Sequence, residues 1–96
     1  MNNTLQMLKI DLGISTDKID QFLTGLIIAA RTFIQREGIT LDGSPEDEAL
    51  VEMYAAHLYR KRREAETAMP RMLRFELNNR LMSEKARDGA WNAPQY

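Results

Sequence analysis

Apolar residues recur every three or four positions in four stretches of this chain, and each stretch ends at a break rich in Gly, Pro, Ser or Asp. Spacing of i, i+3, i+4 and i+7 puts such residues on one side of an α-helix. Leu5, Leu8 and Leu12 form the first stretch, a short helix over 5–12. Thr4 is its candidate N-cap, Gly13 its left-handed terminator, and Ile14 the apolar contact that follows. Ser15, Thr16 and Asp17 offer cap oxygens to a second helix. Its apolar positions are Ile19, Phe22, Leu23, Leu26, Ile27, Ala30, Phe33 and Ile34, and Gly38 ends it.

Residues 39–43 read as a loop, with Asp42-Gly43 as a turn signal. Ser44-Pro45-Glu46-Asp47 then opens a third helix. Serine caps it, proline takes the first helical position, and Asp47 stands where a capping box places its acid. This helix runs through Leu50, Val51, Met53, Tyr54, His57 and Leu58 towards residue 66. Its acidic start and basic end both suit the helix dipole. Pro70 cannot continue the third helix but can open a fourth. The fourth carries Met72, Leu73, Leu77 and Leu81, flanked by Phe75 and Met82, with Glu76 and Arg80 as an i,i+4 pair. Asp88-Gly89 ends it. No strand pattern and no repeat is present. The expectation is an all-α bundle of about four helices in one domain, residues 1–89, with an extended C-terminal tail, residues 90–96.

Composition narrows the class. At 96 residues, 44% apolar and 28% charged, the chain has room for one core. A subunit this small can complete that core against a neighbour. The absence of cysteine excludes disulfides and thiolate chemistry and fits a reducing compartment. The N-terminus lacks a basic patch followed by an apolar run, and the longest apolar run, Leu26 to Ala30, is far too short for a membrane span.

The formal net charge of −1 conceals two opposed halves. Residues 1–56 hold four basic and nine acidic residues, a balance of −5, and residues 57–87 hold nine basic and four acidic, a balance of +5. A basic half can meet nucleic acid, or it can meet the acidic half of the next copy. A dedicated DNA binder usually has a net positive excess, which this chain lacks.

Candidates for chemistry are few. The single histidine, His57, shares a helical stripe with Leu50 and Tyr54 and reads as a core or interface residue with one hydrogen bond. No second imidazole exists to share a metal. Asp17 with Asp20, and Glu48 with Glu52, read as solvated acids on exposed helix faces. No cofactor, metal or catalytic residue is expected, and the chain does not read as an enzyme.

Candidates for interaction are more numerous. Arg60-Lys61-Arg62-Arg63 sweeps about 300° of a helix, so it forms no flat DNA-reading face. Arg60 with Glu64, and Arg62 with Glu66, can pair at i,i+4. Arg71 and Arg74 extend the basic region beyond Pro70. Gly25 sits inside a helix, where glycine costs about 1 kcal/mol relative to alanine. With Ala29 it makes a small-residue patch that another helix, of the same chain or of a neighbouring subunit, can approach closely. Trp91, Pro94 and Tyr96 give the tail three large residues that it cannot bury by itself. They can fold back or anchor on a neighbour or partner.

The order of these features resembles the small helical head–tail connector (adaptor or head-completion) proteins of long-tailed bacteriophages. The likeness rests on Leu5, Leu8, Lys9, Ile10 and Asp11 in the opening helix. It continues through Asp17, Ile19, Asp20, Phe22, Leu23, Leu26, Ile27, Ala29, Ala30, Arg31, Phe33 and Ile34. In the third helix it rests on Ala49-Leu50-Val51, Tyr54 to Tyr59, and Arg62. A fourth helix this long and charged, and a run as basic as Arg60 to Arg63, depart from the pattern. The resemblance implies a structural virion protein rather than an enzyme. It implies a ring, twelve-fold in the virion, that docks under the portal, extends the DNA channel and receives the tail. Its partners would be further copies of itself, the portal, a tail-side connector or terminator protein, and genomic DNA without sequence preference. It would act at the virion neck after assembly in the host cytoplasm, with no membrane involved. Neighbour contacts are expected at Gly25, Ala29, Arg60, Arg62, Arg63, Arg71 and Arg74, and portal or neighbour docking at Trp91, Pro94 and Tyr96. The alternative from the residues themselves is a small helical DNA-binding regulator that uses the basic region from Arg60 to Arg74.

Overall fold

A computed structural model describes residues 2–63 and 68–88, with the side chains of 3–63 and 68–86. Four helices account for most of it: α1 (Asn2–Leu12), α2 (Asp20–Arg36), α3 (Pro45–Arg63) and α4 (Arg71–Asp88). This is the expected all-α class, and the described residues contain no strand. Residues 64–67 and the tail with Trp91, Pro94 and Tyr96 lie outside the described residues.

The helix ends show how local chemistry sets the boundaries. Gly13 adopts φ +72°, and its N–H and that of Ile14 donate to the carbonyls of Ile10 (3.2 Å) and Lys9 (2.8 Å). These are the two bonds of a Schellman motif, as the sequence suggested. Gly38, at φ +103°, closes α2. A β-carbon there would stand 3.2 Å from the Leu81 side chain, so glycine also lets α4 come close. At the start of α3 the Ser44 hydroxyl accepts from the Asp47 N–H (3.2 Å), as a cap should. The return bond differs: Asp47 accepts from the Asp42 N–H (2.6 Å) instead of Ser44. The Ser44 N–H goes to the Asp42 carboxylate (3.0 Å). A short Asp at that position is thereby free for other work.

Two expected caps are absent. Thr4 lies inside α1, not before it, and is fully buried. Its hydroxyl donates to Glu48 of α3. The Ser15-Thr16-Asp17 segment does not cap α2, whose N-cap is Ile19 without a side-chain bond. Thr16 accepts from the Lys18 N–H (3.2 Å), a local turn, and Asp17 turns to Lys9.

α3 is the central helix and touches the other three. α2 runs antiparallel to it, with Phe33 beside Tyr54 and Phe22 beside Arg62. α1 runs parallel to it, with Thr4 at Glu48 and Asp11 near Arg60. α4 returns antiparallel along its first half, with Arg80 on Asp47. The core consists of Leu8 from α1, Leu23, Ile27, Ala30 and Ile34 from α2, Leu50, Val51, Tyr54, Ala55 and Ala56 from α3, and Leu73 and Leu77 from α4. Ile39 of the loop is also buried in it. Each fully buried Leu or Ile contributes roughly 1.5–3 kcal/mol. The buried stripe of α2 is narrower than its apolar pattern. Phe22 and Phe33, expected inside, are each 37% exposed.

Candidate interaction surfaces

Charged side chains that looked like surface decoration hold the helices to one another. Lys9 is buried, and its ammonium lies 3.0 Å from Asp17 and 2.9 Å from Asp20. Hydrogen bonds to Asp20 first and Asp17 second raise its pKa. Those two acids were expected to be solvated, and instead they clamp α1 to the start of α2. Arg31 grips both oxygens of Glu48 (2.9 and 2.5 Å), and that contact lowers the pKa of the carboxyl. Glu48 therefore joins α1, α2 and α3.

The basic half of the chain is partly consumed in the same way. Arg60 lies 3.6 Å from Asp11. Arg74 makes a two-pronged contact with Glu37 (2.5 and 3.4 Å). Arg80 donates to the buried carboxylate of Asp47 and to the Thr40 carbonyl (3.2 Å). It does not make the expected i,i+4 pair with Glu76, because both arms of its guanidinium are engaged across the bundle. Each of these arginines links the basic half to the acidic half of its own chain. Glu64 and Glu66, the expected helical partners of Arg60 and Arg62, lie outside the described residues.

The remaining interface candidates face outward. Arg62 stacks over the Phe22 ring (5.1 Å to its centre), and Arg63 over Tyr59 (5.8 Å), whose hydroxyl accepts from it (3.3 Å). Arg71 is exposed at the start of α4. Gly25 is exposed, and a β-carbon built on it meets nothing within 4 Å. Among the described residues no helix covers it. Phe22, Gly25, Ala29 and Phe33 form one uncharged stripe along α2. Arg36 stacks at its far end, 5.9 Å from the Phe33 ring centre.

A second surface escaped the sequence reading. Between α3 and α4 lies an open groove of about 280 Å³ lined by Glu46, Ala49, Leu50, Met53, Met72 and Glu76. Its floor is apolar and two acids rim it. No local motif signals it, because its walls are more than 15 residues apart in sequence. Met72 and Phe75 on the outside of α4 are 69% and 60% exposed.

Two titratable groups of α3, His57 and Glu52, sit in perturbing surroundings. His57 is buried, as expected of a core residue, but its Nδ1 has no hydrogen-bond partner among the described residues. Burial and then the nearby Lys61 lower its pKa and favour the neutral ring. Glu52 faces Asp11, and burial with this second carboxyl pushes its pKa up to about 8. Among the described residues no group of three or more His, Asp or Glu could hold a metal ion, and no helix is long and apolar enough to cross a membrane.

The described residues thus form a small helical bundle with one core and with apolar side chains left on its outer faces. The chain matches the family of phage gp6-like head-tail connector proteins over residues 2–85, and it belongs to that family. That family is structural, and the expected kinship is thereby established. No curated protein and no solved structure matches the chain.

Proposed function

We propose that the chain is the repeating subunit of a ring at the neck of a phage particle, docked under the portal and continued by a tail-side protein. The family match over residues 2–85 carries this reading. The outer surface supports it, since no described residue covers the α2 stripe at Gly25. A ring of copies around the portal would extend the channel through which the genome passes. Copies related by rotation meet through two different patches, and such a contact closes when the rotation does.

The contact set is narrower than charge arithmetic suggested. Arg60 and Arg74 also pair within their own chain, whereas Arg62, Arg63 and Arg71 make no ion pair among the described residues and come first as cations for neighbours or for DNA in the channel. Gly25 and Ala29 supply the place of close approach. Trp91, Pro94 and Tyr96 are assigned to anchoring on the portal or an adjacent subunit. Cryo-electron microscopy of particles that carry the chain tests this proposal. The expected result is a ring of copies, twelve-fold, at the neck. Density for the polypeptide elsewhere in the particle, or none, overturns it. Tight sequence-specific binding of duplex DNA by a monomer or dimer would favour the regulator instead.

A further inference from the structure

The groove between α3 and α4 and the Arg62 edge lie on opposite sides of α3. Successive helix residues turn by about 100°, so Arg62, nine positions after Met53, points about 180° away from it. Arg62 is likewise about 160° from Glu46. One copy therefore cannot bring its own Arg62 to its own groove.

The two sites match in chemistry. The groove has an apolar floor of Ala49, Leu50, Met53 and Met72 between the carboxylates of Glu46 and Glu76. Neither acid makes an ion pair among the described residues, whereas Glu37, Asp47 and Glu48 are each taken by an arginine. The opposite edge carries Arg62 over the Phe22 ring, 5.1 Å from its centre, next to the open position at Gly25. It thus offers a cation backed by an apolar ring. At about 280 Å³ the groove is open to solvent and not an enclosed cavity. It suits side chains presented by another surface.

We infer that the groove of one copy receives the Arg62–Phe22 edge of the next copy. This deepens the ring reading and rests on it. Patches on opposite sides of one subunit, each complementary to the other, join copies head to tail, and the series closes into a ring when the rotation between neighbours divides a full turn. The acids on the rim set the register, and the uncharged stretch of α2 beside Gly25 lies against the neighbour without desolvating a charge.

Charge reversal with rescue tests the contact in the full-length chain, read by sedimentation velocity and electron microscopy over a concentration series. Far-UV circular dichroism checks that each variant keeps its helices. The double variant E46K/E76K should raise the concentration for half-assembly about tenfold or more, and R62E should do the same. Combining all three changes in one chain should recover most of the loss, because the two patches then match again with signs exchanged. Wild-type-like assembly by folded E46K/E76K overturns the contact, and so does a failure of the triple variant to recover. A wild-type chain that forms no ring, free or at the neck of particles, overturns the ring reading and this contact with it. Rings that persist through E46K/E76K overturn this contact alone.

Discussion

α2 and α4 are nearly the same length, 17 and 18 residues, yet they are held by different physics. α2 buries Leu23, Ile27, Ala30 and Ile34 completely, against α3 and α1. α4 buries two leucines, Leu73 and Leu77, and leaves Met72, Phe75 and Met82 facing outward. Its other attachments are the half-buried Leu81, packed against the core, and two polar contacts, Arg74 to Glu37 and Arg80 to Asp47. The first three helices thus form a core that stands by apolar burial. The fourth is pinned to it by arginines and has an outer face still to be used. Where a helix buries little, specific charge pairs decide where it sits, and a partner can add what burial does not.

This contrast can be broken from either side. The largest effect is expected at Ile27, which is fully buried in α2. Ile27→Ala should lower the unfolding free energy by about 2–5 kcal/mol in denaturant titrations and weaken all four helices together. Arg80→Ala should cost roughly 2–3 kcal/mol, because it leaves the buried Asp47 carboxylate without its cation, with some relief from the partial exposure of the arginine. Its signature is local. Hydrogen exchange should accelerate across α4 while amides of α2 keep their protection. Equal acceleration in both helices would erase the distinction drawn here.

Glu52 sharpens the comparison on the α1–α3 side, where it faces the carboxyl group of Asp11. Its folded pKa, about 8, lies above the ordinary carboxyl value of 4.5. The folded state therefore holds a proton that the unfolded chain has released. The associated stability is complete below pH 4.5 and is lost as pH rises through about 8. Glu52→Gln should flatten this slope. Allowing for its partial exposure, it should raise stability at pH 9 by about 1–2 kcal/mol, with little change at pH 4, as read from thermal melts. Gly25→Ala gives the smallest change. The open site accepts a methyl group, so the monomer should gain about 0.5–1 kcal/mol. If α2 packs closely on a neighbour there, assembly should weaken in the same variant, and the two measurements should move in opposite directions.

How far the sequence spoke follows the range of the interactions. Helix ends set by contiguous residues were legible: Gly13 with Ile14, Gly38, and Ser44 with Pro45. Four helices and the apolar side of α2 followed from periodicity. Phe22 and Phe33 did not follow, since periodicity cannot say how wide a stripe the neighbouring helices cover. Thr4 has the local pattern of a cap, a hydroxyl before an apolar run. Its actual partner, Glu48, is 44 positions away. The pairs Arg60–Asp11, Arg74–Glu37 and Arg80–Asp47 were invisible for the same reason. The opposed halves drew attention to these charges, but composition does not separate attraction within a chain from attraction between chains. The groove that takes part in the proposed contact had no signal in the sequence, because α3 and α4 create it only by packing.

Asp47 has a consequence for anyone who shortens this protein. One of its oxygens accepts from the Asp42 N–H and the other from Arg80. A truncation that ends before residue 80 therefore does more than delete a peripheral helix. It strands a negative charge under the first turn of α3. A nested deletion series from the C-terminus should show a drop in soluble yield when residue 80 is lost, and further drops as the buried Leu77 and Leu73 go.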